Sequence, residues 1–182
     1  MNITIIGRGR VGGGLARMWQ KAGHQVTTIG REGGDASGAD VVVVSVPGNV
    51  ITEALSTVTG LDGQVTIDTT NLYTERDETF PSLSHRIKAV VGGPTAKSFS
   101  TVFASAYDDI ATQRVTPSSL YAAEPGAKDI TEQLIRDVGL DPLYVGDLDP
   151  GARLLENSSA LTRALAGQIG PFFYRYGRPG EL

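Results

Sequence analysis

Apolar residues along this chain alternate between two rhythms: short strand-like runs, and longer stretches with apolar positions every third and fourth residue. Ile3, Ile5 and Ile6 begin the first kind, predicting a strand over residues 3–6. Val11, Leu15, Met18, Trp19 and Ala22 then share one helical face, with Gly23 placed to end the helix. A second strand is predicted over 25–29. A third, over 40–46, contains four consecutive valines, Val41 to Val44, a run suited to burial on both faces. Pro47 and Gly48 stop it. The pattern next predicts a helix over 50–58, a strand over 65–68, and a short helix carrying Leu83, Ile87, Val90 and Val91. Strands follow over 96–99 and 120–123. Pro125 at a first helical position, then Ile130, Leu134, Ile135 and Val138, marks another helix that Gly139 closes. A strand over 143–145 leads through Gly146 and Asp147 to a long helix spanning roughly 150–169. Strands and helices alternating in this way describe a parallel sheet covered by crossover helices.

The turn after the first strand reads Gly7-Arg8-Gly9-Arg10-Val11-Gly12, a G-x-G-x-x-G that opens the first helix. Gly7 permits the tight turn, Gly9 lets backbone approach a pyrophosphate, and Gly12 allows close helix packing. The unpaired amides of the helix start and its dipole favour an anion at the same place. The expected fold class is therefore α/β, a Rossmann-like, doubly wound, mostly parallel sheet with helices on both faces and a C-terminal helical extension. Residues 1–147 are expected to form the nucleotide-binding domain and 148–182 the extension.

Choice between NAD and NADP falls at the end of the second strand, where an acid would accept hydrogen bonds from the ribose hydroxyls of NAD. Here the strand ends Ile29-Gly30-Arg31. Gly30 presents no carboxylate to repel a 2′-phosphate, and Arg31 offers a permanently charged planar donor set. Arg8, inside the glycine turn, can add a second positive contact. These residues favour NADP(H), although Glu32, one position further on, is an acid able to turn inward.

Ligands gather at the carboxyl ends of an open parallel sheet, which makes Ser45, Val46 and Pro47 candidates to line a nicotinamide ribose, or else a plain strand stop. Asp68-Thr69-Thr70-Asn71 ends the fourth predicted strand in the same way. Its short polar side chains, Asn71 above all, suit either a ribose or carboxamide contact or an Asx turn. Lys97 falls in the fifth predicted strand, near the expected nicotinamide, where it would order an anionic partner or a ring carbonyl. The competing reading is a lysine at a strand edge with its ammonium in water. His24 and His85, the two histidines, are expected at the surface and not as general acids.

Composition narrows the choice. The absence of cysteine removes disulfides, thiolate nucleophiles, iron–sulfur clusters and most structural zinc sites; no metal site is expected. A formal net charge of −4 gives no global field for nucleic acid or an anionic membrane. Neither a signal-peptide pattern nor an apolar run of about 20 residues is present, so a cytoplasmic location is expected.

Several segments together resemble the NADP oxidoreductases dependent on the deazaflavin coenzyme F420. They are the start from Asn2 through Gly12, the Ala22-Gly23-His24 turn, Val44-Ser45-Val46-Pro47, Asp68-Thr69-Thr70-Asn71 and Ala96-Lys97-Ser98-Phe99-Ser100-Thr101-Val102. Val145-Gly146-Asp147-Leu148 and Ala152-Arg153-Leu154-Leu155-Glu156 continue the likeness, which spans most of the chain in order. Ser100 stands where that family usually carries asparagine. The resemblance implies hydride exchange between NADP and the deazaflavin. It places Gly7, Arg8, Gly9, Gly30 and Arg31 around the adenine half, and Val46, Pro47 and the 97–100 segment near the nicotinamide.

In that reading the chemistry belongs to the two cofactors, and no catalytic side chain is assigned. Two alternatives stay open: reduction of a flavin, a metal chelate or a small carbonyl compound by NADPH, and a non-catalytic NADP(H)-sensing domain. The last helix, with Leu154, Leu155, Leu161, Leu165 and Ile169 followed by Phe172, Phe173, Tyr174 and Tyr176, is more apolar than a one-sided covering helix needs. It is expected to form a homodimer contact.

Overall fold

The computed structural model describes residues 1–72 and 79–180. In chain order the elements are β1 (Asn2–Ile6), α1 (Arg10–Lys21), β2 (Gln25–Ile29), β3 (Gly34–Asp35), β4 (Val41–Val44), α2 (Ile51–Ser56) and β5 (Val58–Thr59). Then come β6 (Val65–Asp68), α3 (Leu83–Val91), β7 (Thr95–Lys97), β8 (Ser118–Ala123), α4 (Pro125–Asp137), β9 (Asp141–Tyr144) and α5 (Leu148–Ile169). Two 3-10 helices, Gly48–Val50 and Ala104–Thr112, lie in the connections.

Seven strands form one sheet in the order β2-β1-β4-β6-β7-β8-β9. β2, β1, β4, β6 and β7 pair in parallel, β8 runs antiparallel to β7, and β9 is parallel to β8. From β1 the chain winds outward to β2, then returns past β1 to β4 and continues the other way. The crevice at the carboxyl ends of β1 and β4 is therefore a topological switch point, where open α/β sheets take ligands.

Side chains of the central strands alternate between two cores. Ile3, Ile5, Val41 and Val43 pack toward one face with Leu15 and Trp19 of α1 and Leu134 and Ile135 of α4. Ile6, Val42 and Val44 pack toward the other with Ile51 and Leu55 of α2 and Leu83 and Ile87 of α3. Both faces of β4 are covered, which is why its four valines are all fully buried. α5 lies on the α2 and α3 side, against β8, β7 and α3. The doubly wound α/β fold with helices on both faces and a long C-terminal helix is thus present.

Several predicted elements change in detail. The 50–58 helix splits into a 3-10 turn and α2, and Val58 instead joins β5 in a two-stranded pairing with β3. That small pairing and the 104–112 helix have too few residues, or too irregular a period, to show in the sequence. The strand expected over 96–99 ends at Lys97, and Phe99 takes φ 60° with its ring edge-on to Trp19. Aromatic packing compensates for a backbone conformation that a bulky residue rarely adopts. α3 forms as expected, started by the Ser82 hydroxyl, which accepts from the His85 amide, and stopped by Gly92 at φ 82°. Val90 does not share its buried face; it is exposed on α3.

Candidate nucleotide-binding site

The glycine turn is held by contacts that no larger residue permits. Gly7 has φ 107°, donates its amide to Ile29 O, and a Cβ there would lie 2.2 Å from Ser45 O. A Cβ on Gly12 would lie 2.0 Å from Gly7 O. Both glycines are thus fixed by close backbone approach. Gly9 differs, because nothing lies within 4 Å of where its Cβ would be. The turn is open on that side, over the start of α1. Among the described residues no side chain caps α1, and no acid stands in its first turn, so its leading amides and positive dipole end face the opening.

At the end of β2 the backbone meets this turn. A Cβ on Gly30 would lie 2.2 Å from Arg8 Nη2, so the missing side chain is what lets the Arg8 guanidinium lie over the strand end. Glu32 turns back into the same place. Its Oε1 accepts from Arg8 Nη2 and from the Gly30 amide. Its carboxyl is held below the usual carboxylate range, first by its own backbone amide and also by Arg8 and the Gly30 amide. Arg31 and Arg10 are exposed and hold no partner among the described residues.

Along the crevice the other candidates fall into line. Ser45 follows β4 with its amide on Ile6 O, Val46 packs against the second core, and Pro47 caps the 3-10 helix, its carbonyl accepting from the Val50 amide. Gly48 donates to Asn71 O at 3.2 Å, joining the ends of β4 and β6. Asn71 Nδ2 donates to Ser100 O at 2.8 Å, joining the ends of β6 and β7. Hydrogen bonds thus tie the strand ends in sequence: Ile6 to Ser45, Gly48 to Asn71, and Asn71 to Ser100.

Lys97 departs from the strand-edge reading. β7 lies inside the sheet, between β6 and β8, and the Lys97 side chain is 0 % exposed. Its Nζ donates to Asp68 Oδ2 at 2.9 Å and to Thr70 O at 2.8 Å, with Glu156 Oε1 of α5 at 3.9 Å. Asp68 also accepts from the Ser84 hydroxyl and the Thr70 amide, and Glu156 accepts from the Leu83 amide. Burial of these charges demands such partners. Lys97 thereby braces the 68–71 turn from beneath, tying it to β7 and α5.

Three polar atoms next to this brace, Thr70 Oγ1, Asn71 Oδ1 and Ser100 Oγ, have no partner among the described residues. Buried polar groups are seldom left unpaired, so these atoms are candidates to meet a ligand atom or a water. Thr70 and Ser100 belong with Asn71 in the candidate site, and only burial, not residue type, reveals them. Tyr107, on the 104–112 helix, is a fourth case. Its hydroxyl is buried without a partner among the described residues, burial pushes its phenol far up, and its ring occupies the space a Cβ on Gly14 would need.

The histidines lie elsewhere. His85 bonds the Ser82 hydroxyl at the start of α3. His24 is not the surface residue expected: its ring is largely buried and bonds Asp137 at 2.8 Å, clasping the end of α1 to α4. No group of three or more metal-ligating side chains occurs among the described residues, and no described helix is long and apolar enough to cross a membrane.

A doubly wound sheet with a glycine turn at its switch point defines the class of Rossmann-type folds. Solved structures share it. A protein of Arthrobacter sp. FB24, proposed to be an F420-dependent NADP-reductase, superposes with TM-score 0.77 at 20% identity, covering 97% of this chain and 99% of its own. A hypothetical protein of Sinorhizobium meliloti gives 0.67 at 22% identity, over 84% of this chain and 88% of its own. A reductive aminase from Aspergillus terreus, in complex with NADPH and ethyl levulinate, gives 0.64 at 16% identity, over 92% of this chain and 63% of its own. No family model matches the sequence, and neither does any curated protein.

Proposed function

We propose that this chain binds NADP(H) across the carboxyl ends of its parallel strands and transfers a hydride between the nicotinamide and a small-molecule redox partner, the deazaflavin coenzyme F420. The observation that carries the reading is the pairing of an open, uncapped α1 start at Gly9 with an arginine-bearing end of β2 that lacks a side chain at Gly30. The first suits a pyrophosphate and the second a 2′-phosphate. The solved neighbours support it, one by its proposed activity and one by its bound NADPH.

In this reading Gly7, Arg8, Gly9, Arg10, Val11 and Gly12 hold the pyrophosphate turn. Gly30, Arg31 and Arg8 take the 2′-phosphate. Ser45, Val46, Pro47 and Asn71, joined by Thr70 and Ser100, position the nicotinamide half. Lys97 acts from beneath as a brace on the 68–71 turn instead of touching the cofactor. NADP(H) supplies the hydride chemistry when bound. The protein's task is alignment of donor and acceptor at roughly 3–3.5 Å with water kept out. No side-chain acid is needed for that, in keeping with histidines turned to structural roles and a lysine enclosed by its partners.

Likeness to the reductive aminase favours, as a second reading, reduction of a carbonyl or imine compound by NADPH. That chemistry calls for a proton donor at the nicotinamide. Mixing the protein with NADPH and, separately, a deazaflavin, a flavin, a metal chelate and carbonyl compounds, while following nicotinamide absorbance, decides among the readings. Stoichiometric oxidation by the deazaflavin is expected. Turnover with a carbonyl compound alone supports the second reading, and tight NADPH binding without turnover points to a nucleotide sensor.

We also propose residues 1–147 as the nucleotide-binding unit and 148–182 as an extension serving a homodimer. The first half of α5 is buried on the sheet, whereas Leu161 and Ile169 of its second half are 60% and 69% exposed. Sedimentation at high concentration should show the dimer; a monomer would refute it. A cytoplasmic location and the absence of a nucleic-acid partner complete the proposal.

A further inference from the structure

The donors grouped at the end of β2 already hold an anion, and it belongs to the protein. Arg8 Nη2 and the Gly30 amide both point at Glu32 Oε1, and the Glu32 backbone amide faces the same carboxylate. A phosphate on the adenosine 2′-oxygen needs that same set: a guanidinium, amides of the turn after β2, and a position without a Cβ. The carboxylate and the phosphate cannot share these donors, since two anions at contact distance repel.

We infer that Glu32 is an internal stand-in for the 2′-phosphate, occupying the Arg8 and Gly30 donors in the free protein and giving them up when NADPH binds. This rests on the proposed NADP(H) reading and adds to it a residue that sets affinity and selectivity. Arg31 holds no partner among the described residues. It is thus the cation available to meet the incoming phosphate before Arg8 is released. Glu32 and Arg8 side chains are 60% and 54% exposed, so the exchange needs only side-chain rotation at the surface. With NADH there is no phosphate to displace the carboxylate, and Glu32 keeps its place or accepts from a ribose hydroxyl. Glu32 therefore weakens NADPH binding while leaving NADH binding unharmed.

The test is calorimetric titration of wild type, Glu32→Gln and Arg8→Ala, and the Arg8→Ala/Glu32→Gln double variant, with NADPH, NADH and adenosine 2′-monophosphate. Glu32→Gln is expected to tighten NADPH and adenosine 2′-monophosphate about five-fold, the effect of one unit charge at contact distance in water. NADH should not tighten, and the gain should vanish when Arg8 is already alanine. Unchanged or weaker NADPH binding in Glu32→Gln, an equal gain for NADH, or a full gain without Arg8 would overturn the inference while leaving NADP(H) binding intact. Wild type binding neither nucleotide, or binding NADH more tightly than NADPH, would instead overturn the proposed function itself.

Discussion

The two ends of the crevice are built on opposite electrostatic terms. At the end of β2, Arg8, Arg31 and Glu32 are exposed, their charges are screened by water, and their one ion pair can open by rotation. At the ends of β6 and β7, Asp68, Lys97 and Glu156 are sealed from solvent and their charges are committed to one another and to the 68–71 turn. A surface pair can be exchanged for a ligand's phosphate at little cost to the fold. A buried network cannot be exchanged, but it can hold a turn still. In the proposed reading, selection sits at the wet end and positioning at the dry end.

The largest expected effect comes from breaking the dry end. Lys97→Met leaves the Asp68 and Glu156 carboxylates without their shared ammonium, and should cost about 3–5 kcal/mol. Thermal unfolding would show it as a fall of roughly 10 °C in Tm. A loss as small as that of a surface pair would mean that the network is not the brace described. At the wet end, Arg31→Ala should weaken NADPH binding about ten- to a hundred-fold, the value of a charge-assisted phosphate contact, with the fold unharmed. NADH binding should change by less than about two-fold. Equal losses for both nucleotides would dissolve the distinction between the two ends.

A smaller effect sharpens the comparison. The buried hydroxyl of Thr70 has no partner among the described residues, so Thr70→Val should stabilise the free protein by about 1 kcal/mol while weakening nucleotide binding. Stability and affinity moving together would show that the hydroxyl serves the fold instead of a ligand. The smallest effect belongs to a pair remote from the crevice. Arg136→Ala removes the exposed Arg136 to Glu132 contact within α4 and should cost about 0.3–0.5 kcal/mol, with unchanged nucleotide titrations.

How far each end could be read from sequence follows the same division. The glycine turn, the Gly30-Arg31 strand end and the central strands are local patterns, and local periodicity and backbone freedom determine them. Burial is not local. Lys97 becomes an enclosed brace only because β8 folds back antiparallel beside β7 and Glu156 arrives from α5, well along the chain. The same holds for Thr70 and Ser100, whose hydroxyls are ordinary in sequence and orphaned only once packed. His24 reads as a surface residue because its partner, Asp137, lies on another helix. Glu32 was legible as an acid able to turn inward, and the structure turns it toward Arg8. The 104–112 helix leaves no mark on the sequence because a 3-10 helix lacks the α-helical amphipathic period.

A crystal structure of the protein with NADPH tests the central claim most directly. The pyrophosphate should rest on the α1 start at Gly9, with the 2′-phosphate against Arg31 and Arg8 and the nicotinamide beside Thr70, Asn71 and Ser100. An adenosine bound away from the end of β2, or one whose ribose hydroxyls sit on Glu32 while the phosphate points into solvent, would contradict it.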